Sequence, residues 1–287
     1  MMLRSWTLAS LLALAACTGT PATPGTGSAG TDAPAGTDAP KPAPLGDMNP
    51  ADLDAAADKK FTLVPSPVET QGALESAGID TKLATLITKR EMQFDDQDLD
   101  DVAVRTGVVI ADMLLTVKTA DDATLISHLE SIKLGMKTLK GGDDIEKTIA
   151  EIIDRVKGEA VTRDDLLKEL DELSGAIIPE LKFNGVNRIV PLIQAGSWLE
   201  GANLVARASK AKGQPSAADA ILKQPKVVEY FIEYVGGEGK DKAPAAVTEK
   251  LTSSLETLKG LAAKPESLNE ADIDVVIQVT EDVLALL

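Results

Sequence analysis

The chain has 287 residues, of which 44% are apolar but only 3% aromatic, so any core must be built from Leu, Ile, Val and Ala, a composition suited to packed helices. Its formal charge is −16, and −17 without Arg4 of the leader; a surface this acidic repels nucleic acid and anionic head groups, and no nucleic-acid partner is expected. Cys17 is the only cysteine and His128 the only histidine, which excludes a disulfide framework, a Cys/His metal site and Cys–His nucleophilic catalysis in the body of the protein.

Residues 1–16 open with the charge of Arg4 and continue as an apolar run from Leu8 to Ala16, the length of an export signal and too short to span a bilayer as a helix. The run closes on Leu14-Ala15-Ala16-Cys17, which resembles the lipobox of bacterial lipoproteins: apolar, small, small, then an obligatory Cys. That resemblance covers about the first 17 residues. It implies cleavage before Cys17, a diacylglycerol on its thiol and a further acyl chain on its freed amine, more than the two lipid signals stable anchoring requires. The membrane is then a partner through the lipid on Cys17. Thr18 stands where an Asp would retain some of these lipoproteins in the inner membrane, so outer-membrane delivery is expected.

From residue 17 to 50 the sequence collapses to Pro, Gly, Ala, Thr, Ser and Asp, with the near-repeat Gly30-Thr31-Asp32-Ala33-Pro34-Ala35 and Gly36-Thr37-Asp38-Ala39-Pro40. Such a tract cannot bury enough apolar surface to order itself and reads as a disordered tether. Its reach is between ~30 and ~100 Å.

Residues 51–287 read as one all-α domain, an irregular multi-helix bundle or helical array of about nine helices, because apolar residues recur at three and four throughout. Helices are predicted near 68–77, 80–92 and 97–118. The next carries Leu125, Leu129, Ile132, Met136 and Leu139 inward between Asp121-Asp122 and Gly141-Gly142, and is followed by one with Ile145, Ile149, Ile152 and Val156 that stops at Gly158. Thr162 and Asp165 resemble a capping box opening a helix with Leu166, Leu170, Leu173 and Ile177, up to about Pro179. Further helices fall at 187–211, 216–235 and 245–263. Asn269 and Asp272 start the last, with Val275, Val276, Val279, Val283 and Leu286 inward. Met136-Lys137-Thr138-Leu139-Lys140-Gly141 and Leu255-Glu256-Thr257-Leu258-Lys259-Gly260 end two helix patterns alike, a faint sign of a duplicated hairpin.

The helix from Asn187 to Ala211 is apolar all round and is therefore expected at the centre. Within it Gly196, Glu200, Asn203 and Arg207 recur at four, three and four and line one stripe. If that stripe is buried its charges need partners, since an uncompensated buried charge costs several kcal/mol. Glu200, Asn203 and Arg207 are thus the candidate ligand-binding residues, against a structural network that fixes helix register; Gly196 and Gly201 read as close helix contacts.

Other patterns carry less chemistry. Asp96, Asp98 and Asp100 sit at the first positions of a calcium loop, but Asp101 and Gly107 occupy the places of its turning Gly and bidentate Glu, so an acidic helix start is the better reading and no metal is expected. His128 reads as a boundary residue, and Tyr230, Phe231 and Tyr234 as core packing. Ser209 and Lys212 match the Ser-x-x-Lys spacing of penicillin-recognising enzymes without its companion elements. No residue is assigned a catalytic role and no cofactor is expected. The sequence supports a lipid-anchored envelope protein with a non-catalytic module for an envelope protein or small ligand, the alternative being a carboxylate-based envelope enzyme, with or without a divalent ion.

Overall fold

In a computed structural model the described residues are 67–79, 82–95, 98–237 and 245–287. The leader, Cys17, the tether, the start of the predicted domain and Asp96 lie outside them.

These residues form ten α-helices and no strand: α1 Pro67–Ser76, α2 Leu99–Thr116, α3 Asp122–Thr138, α4 Asp143–Lys157, α5 Arg163–Phe183, α6 Val190–Lys212, α7 Asp219–Leu222, α8 Pro225–Gly237, α9 Ala245–Ala262 and α10 Glu270–Leu284. None of the described helices is long and apolar enough to cross a membrane.

Local chemistry sets most of the helix starts. Asp98 and Asp121 cap α2 and α3 by accepting backbone N–H groups of the first turn, which otherwise lack acceptors. At α5 the Thr162 hydroxyl accepts from the Asp165 N–H at 3.2 Å and donates to the Asp165 carboxylate at 2.7 Å, so Asp165 serves the hydroxyl. Asn269 and Asp272 make the reciprocal pair in full, each side chain accepting the other's backbone N–H at 3.1 Å. Helix α5 continues a turn beyond Pro179, which is exposed, and fully buried Leu181 anchors that last turn.

The core has two parts, and both rest on α2 and α6. One joins Val102, Val109, Ile110, Met113 and Leu114 of α2 and Ile193 of α6 to the inward stripes of α3, α4 and α5. The other joins Val108, Ala111 and Leu115 of α2 and Trp198, Leu199, Ala202 and Val205 of α6 to α1 and α7 through α10. The predicted stripes of α3 and α4 are all buried, each Leu contributing about 1.5–3 kcal/mol.

Four expectations are corrected. The described part of the predicted 80–92 helix, residues 82–92, is not an α-helix: Leu83–Thr85 forms one 3₁₀ turn and residues 87–93 are irregular. The segment predicted at 216–235 breaks at Lys223 and Gln224, because the residue before Pro225 is driven from helical backbone angles while Pro225 itself suits a helix start. Val275 of α10 and Leu286 just beyond it are exposed, and Ile273, Val276, Thr280, Val283 and Leu284 face inward; the stripe turns this way because Thr280 is itself an inward, hydrogen-bonded residue. The six-residue echo does not end its two helices alike, since α3 ends before Gly141 whereas α9 runs through Gly260.

Candidate functional site: a buried charge cluster between the central helices

Gly107 of α2 and Gly196 of α6 let the two central backbones touch. A Cβ on Gly107 would stand 1.9 Å from the Ile193 carbonyl oxygen, and one on Gly196 would stand 2.0 Å from that of Val104. Gly201 has open space beside it and is not such a contact. Just C-terminal to this crossing, Asp112 of α2 and Glu200 of α6 come together, at 4% and 0% exposure.

Glu200 does not pair with Arg207. Arg90, on the irregular segment before α2, donates to Glu200 Oε2 at 2.8 Å and to Glu281 Oε1 of α10 at 3.1 Å. Arg207 donates to the same Glu281 oxygen at 2.5 Å, and the Thr88 hydroxyl reaches it at 3.1 Å. Asn203 donates through Nδ2 to the fully buried Thr280 hydroxyl at 2.9 Å. Each polar residue of the α6 stripe is thus engaged by a protein group through one atom, while Glu200 Oε1, Asn203 Oδ1 and Arg207 Nε are buried without a hydrogen-bond partner among the described residues.

Asp112 and Glu200 lie close enough for each to act on the other's ionisation, and Asp112 Oδ1 and Glu200 Oε1 are buried without a hydrogen-bond partner among the described residues. Burial, then the Glu200 charge, pushes Asp112 well above the ordinary carboxylate range. Burial also raises Glu200, opposed by Arg90 and by Asp112. Arg90 contacts Glu200 directly, so the proton belongs on Asp112. With Asp112 neutral, Glu200 and Glu281 balance Arg90 and Arg207.

A protonated acid beside an ionised one is the pairing that acid–base chemistry uses, but here both groups are closed off, and a substrate reaches them only if the helices part. Among the described residues no group of three or more His, Cys, Asp or Glu side chains is arranged to hold a metal ion.

The remaining candidates lie apart from this cluster. Asp98 caps α2, Asp100 pairs with Arg188 at 2.5 Å and Asp101 with Arg105 at 3.5 Å, while Gly107 belongs to the helix crossing. His128 is half-buried, and burial lowers its pKa. Ser209 is fully buried whereas Lys212 is exposed. Phe231 packs in the core against Trp198 and Tyr230, with ring centroids 5.6 and 5.2 Å away; burial pushes the Tyr230 hydroxyl up to about 12, and the Tyr234 hydroxyl donates to the Arg188 carbonyl at 3.0 Å. A small cavity behind the crossing is lined by Thr70, Leu115, Ser197, Trp198, Gly201 and Ile221, among others.

Sequence reasoning missed Arg90, Asp112 and Glu281. Asp112 had a visible signal: it is a lone acid between Val109-Ile110-Ala111 and Met113-Leu114-Leu115, in a helix as apolar all round as α6. Arg90 and Glu281 had none, since their partners lie 110 and 74 residues or more away in the chain. No family model, curated protein or solved structure matches this chain.

Proposed function

We propose that this chain is a lipid-anchored protein of the bacterial cell envelope whose acidic helical domain is a non-catalytic module for an envelope protein or small ligand. The observation that carries the reading is the apolar run from Leu8 that ends on Leu14-Ala15-Ala16-Cys17, at the only cysteine in the chain. The Pro/Gly/Ala/Thr tract that follows supports it, being the composition of a spacer between an anchor and a folded body. Thr18 after the cysteine favours the outer membrane over the inner.

The Asp112–Glu200 pair favours a second reading, the carboxylate enzyme, because it sets a proton donor beside an acceptor. It ranks below the first because both groups are enclosed.

Intact mass and membrane fractionation of the natively expressed protein beside a Cys17→Ser form test the anchor. The expected result is a mature chain beginning at acylated Cys17 in the outer-membrane fraction, with the variant unlipidated. Wild type recovered unacylated and free of membrane would overturn the proposal.

A further inference from the structure

Two carboxylates from different helices converge on one guanidinium group. Arg90 donates through Nη1 to Glu200 Oε2 of α6 at 2.8 Å and through Nη2 to Glu281 Oε1 of α10 at 3.1 Å. A planar fork with separate N–H donors spans two carboxylates in this way, whereas an ammonium is a point charge without that shape. Arg90 does not use up the acceptors that surround it. Glu200 Oε1 and Asn203 Oδ1 have no hydrogen-bond partner among the described residues, and both belong to fully buried residues about one helical turn apart. Asn203 also donates to Thr280, the residue before Glu281.

The wall that carries Arg90 differs from the others. Helix α6 is fixed against α2 by backbone contact at Gly196, and α10 by Ile273, Val276 and Val283 in the core. Residues 87–93 are irregular, and among the described residues none of them makes a backbone–backbone hydrogen bond. The segment is held at one end by fully buried Leu83 and at the other by the Arg105 bond to the Gln93 carbonyl. Between these ends it is tied by Arg90 and Thr88, with Ile87 and Met92 only partly buried. Arg90 can therefore leave without breaking a helix. Its side chain is 11% exposed and that of Glu281 24%, so the exit is at the solvent edge of the cluster.

We propose that Glu200 and Glu281 form a binding site for a guanidinium group, that Arg90 occupies it as a resident stand-in, and that an external guanidinium competes with Arg90 and releases the segment 87–93.

The recognised group is common to free arginine and to an arginine side chain of a partner protein, and the strongly acidic body draws either toward it. This inference rests on the reading of the body as a binding module and gives that module a ligand class. It uses no property of the lipid anchor, whose test by mass and fractionation has its own outcome.

Calorimetric titration and hydrogen exchange on the natively processed chain test it. In Arg90→Ala, N-methylguanidinium far below denaturing concentrations should bind and raise the thermal midpoint saturably, whereas methylammonium at equal ionic strength should not. In the wild type the resident group must leave first, so the same compound should bind at least about tenfold more weakly. At saturation, protection of wild-type peptides covering 87–93 should fall by about tenfold or more while peptides of α2 and α6 keep theirs. Free arginine and an arginine-bearing peptide, compared on the wild type, separate the two sources, and release by neither would overturn the proposal. So would uptake by Arg90→Ala with the wild-type segment unmoved, because Arg90 would then be a fixed structural ion pair, and so would equal effects of N-methylguanidinium and methylammonium. If Arg90→Ala does not fold, the wild-type exchange decides alone.

Discussion

Gly107 packs so closely on Ile193 that an added Cβ would overlap the Ile193 carbonyl oxygen, and Gly196 makes the matching contact on Val104. The neighbour in each case is backbone, which cannot swing aside as a side chain can. Gly107→Ala and Gly196→Ala should each lower stability by about 1–3 kcal/mol or more, the helix separation outweighing alanine's better propensity of at most ~1 kcal/mol. Gly201→Ala meets nothing and should be neutral or stabilising by up to ~1 kcal/mol. Urea unfolding of the three variants checks the contrast; equal effects at Gly196 and Gly201 would contradict the packing described.

Arg90 and Arg207 both hold Glu281, but only Arg90 also holds the fully buried Glu200. Replacing Arg90 with Met strands a buried carboxylate and should cost about 3–5 kcal/mol. Arg207 is 29% exposed, and its partner keeps Arg90 and Thr88 when it is removed; Arg207→Met should cost ~1 kcal/mol or less. Denaturant midpoints of the two variants give the ranking, and a reversal would place the weight of the cluster at its outer end.

The central position of α6 was legible in the sequence because apolar residues surround it, and the same evidence was present, unused, for α2. Burial of the Glu200 stripe followed from the same pattern. The partners did not follow. Residues 82–92 repeat Leu83, Leu86 and Ile87 at helical spacing, so periodicity alone favours a helix there. The segment is held otherwise by long-range bonds: Arg105 donates to the Gln93 carbonyl at 2.9 Å, and Thr138 to that of Phe94 at 2.7 Å. Thr88 and Arg90, two residues apart, both reach Glu281, which a helix would not allow because such positions do not share a face. Thr280 has no apolar side chain for periodicity to register, and a hydrogen bond from Asn203 lets it sit in the core.

Asp272 responds to pH in the opposite sense to Asp112. The hydrogen bond from Lys264 Nζ, at 2.5 Å, is the largest cause holding its pKa below the ordinary range, and burial opposes it. Its contribution is therefore present above the free carboxylate value and is lost as pH falls through the depressed one. Thermal melts below about pH 4 should show the wild type losing stability more steeply than Asp272→Asn, in which that proton uptake is gone. Parallel curves would mean that the Lys264 contact is too weakly held to matter.

The two parts of the core share α2 and α6, so neither can lose its packing while the other keeps an intact wall. Trp198 lies in the part formed with α7 through α10, and Leu129, fully buried on α3, lies in the other. Apart from Trp6 of the leader, Trp198 is the only tryptophan in the chain, so its fluorescence reports the second part alone. Leu129→Ala removes atoms from the part of the core that does not contain Trp198, yet it should lower the unfolding free energy read from Trp198 fluorescence by about 2–5 kcal/mol, the usual cost of emptying a leucine site. Fluorescence and far-ultraviolet circular dichroism should give one coincident transition in wild type and variant. A fluorescence midpoint unmoved by the substitution would show that the α6 wall survives without its partners on α3 to α5, and that the central pair couples the two halves less tightly than its glycine contacts imply.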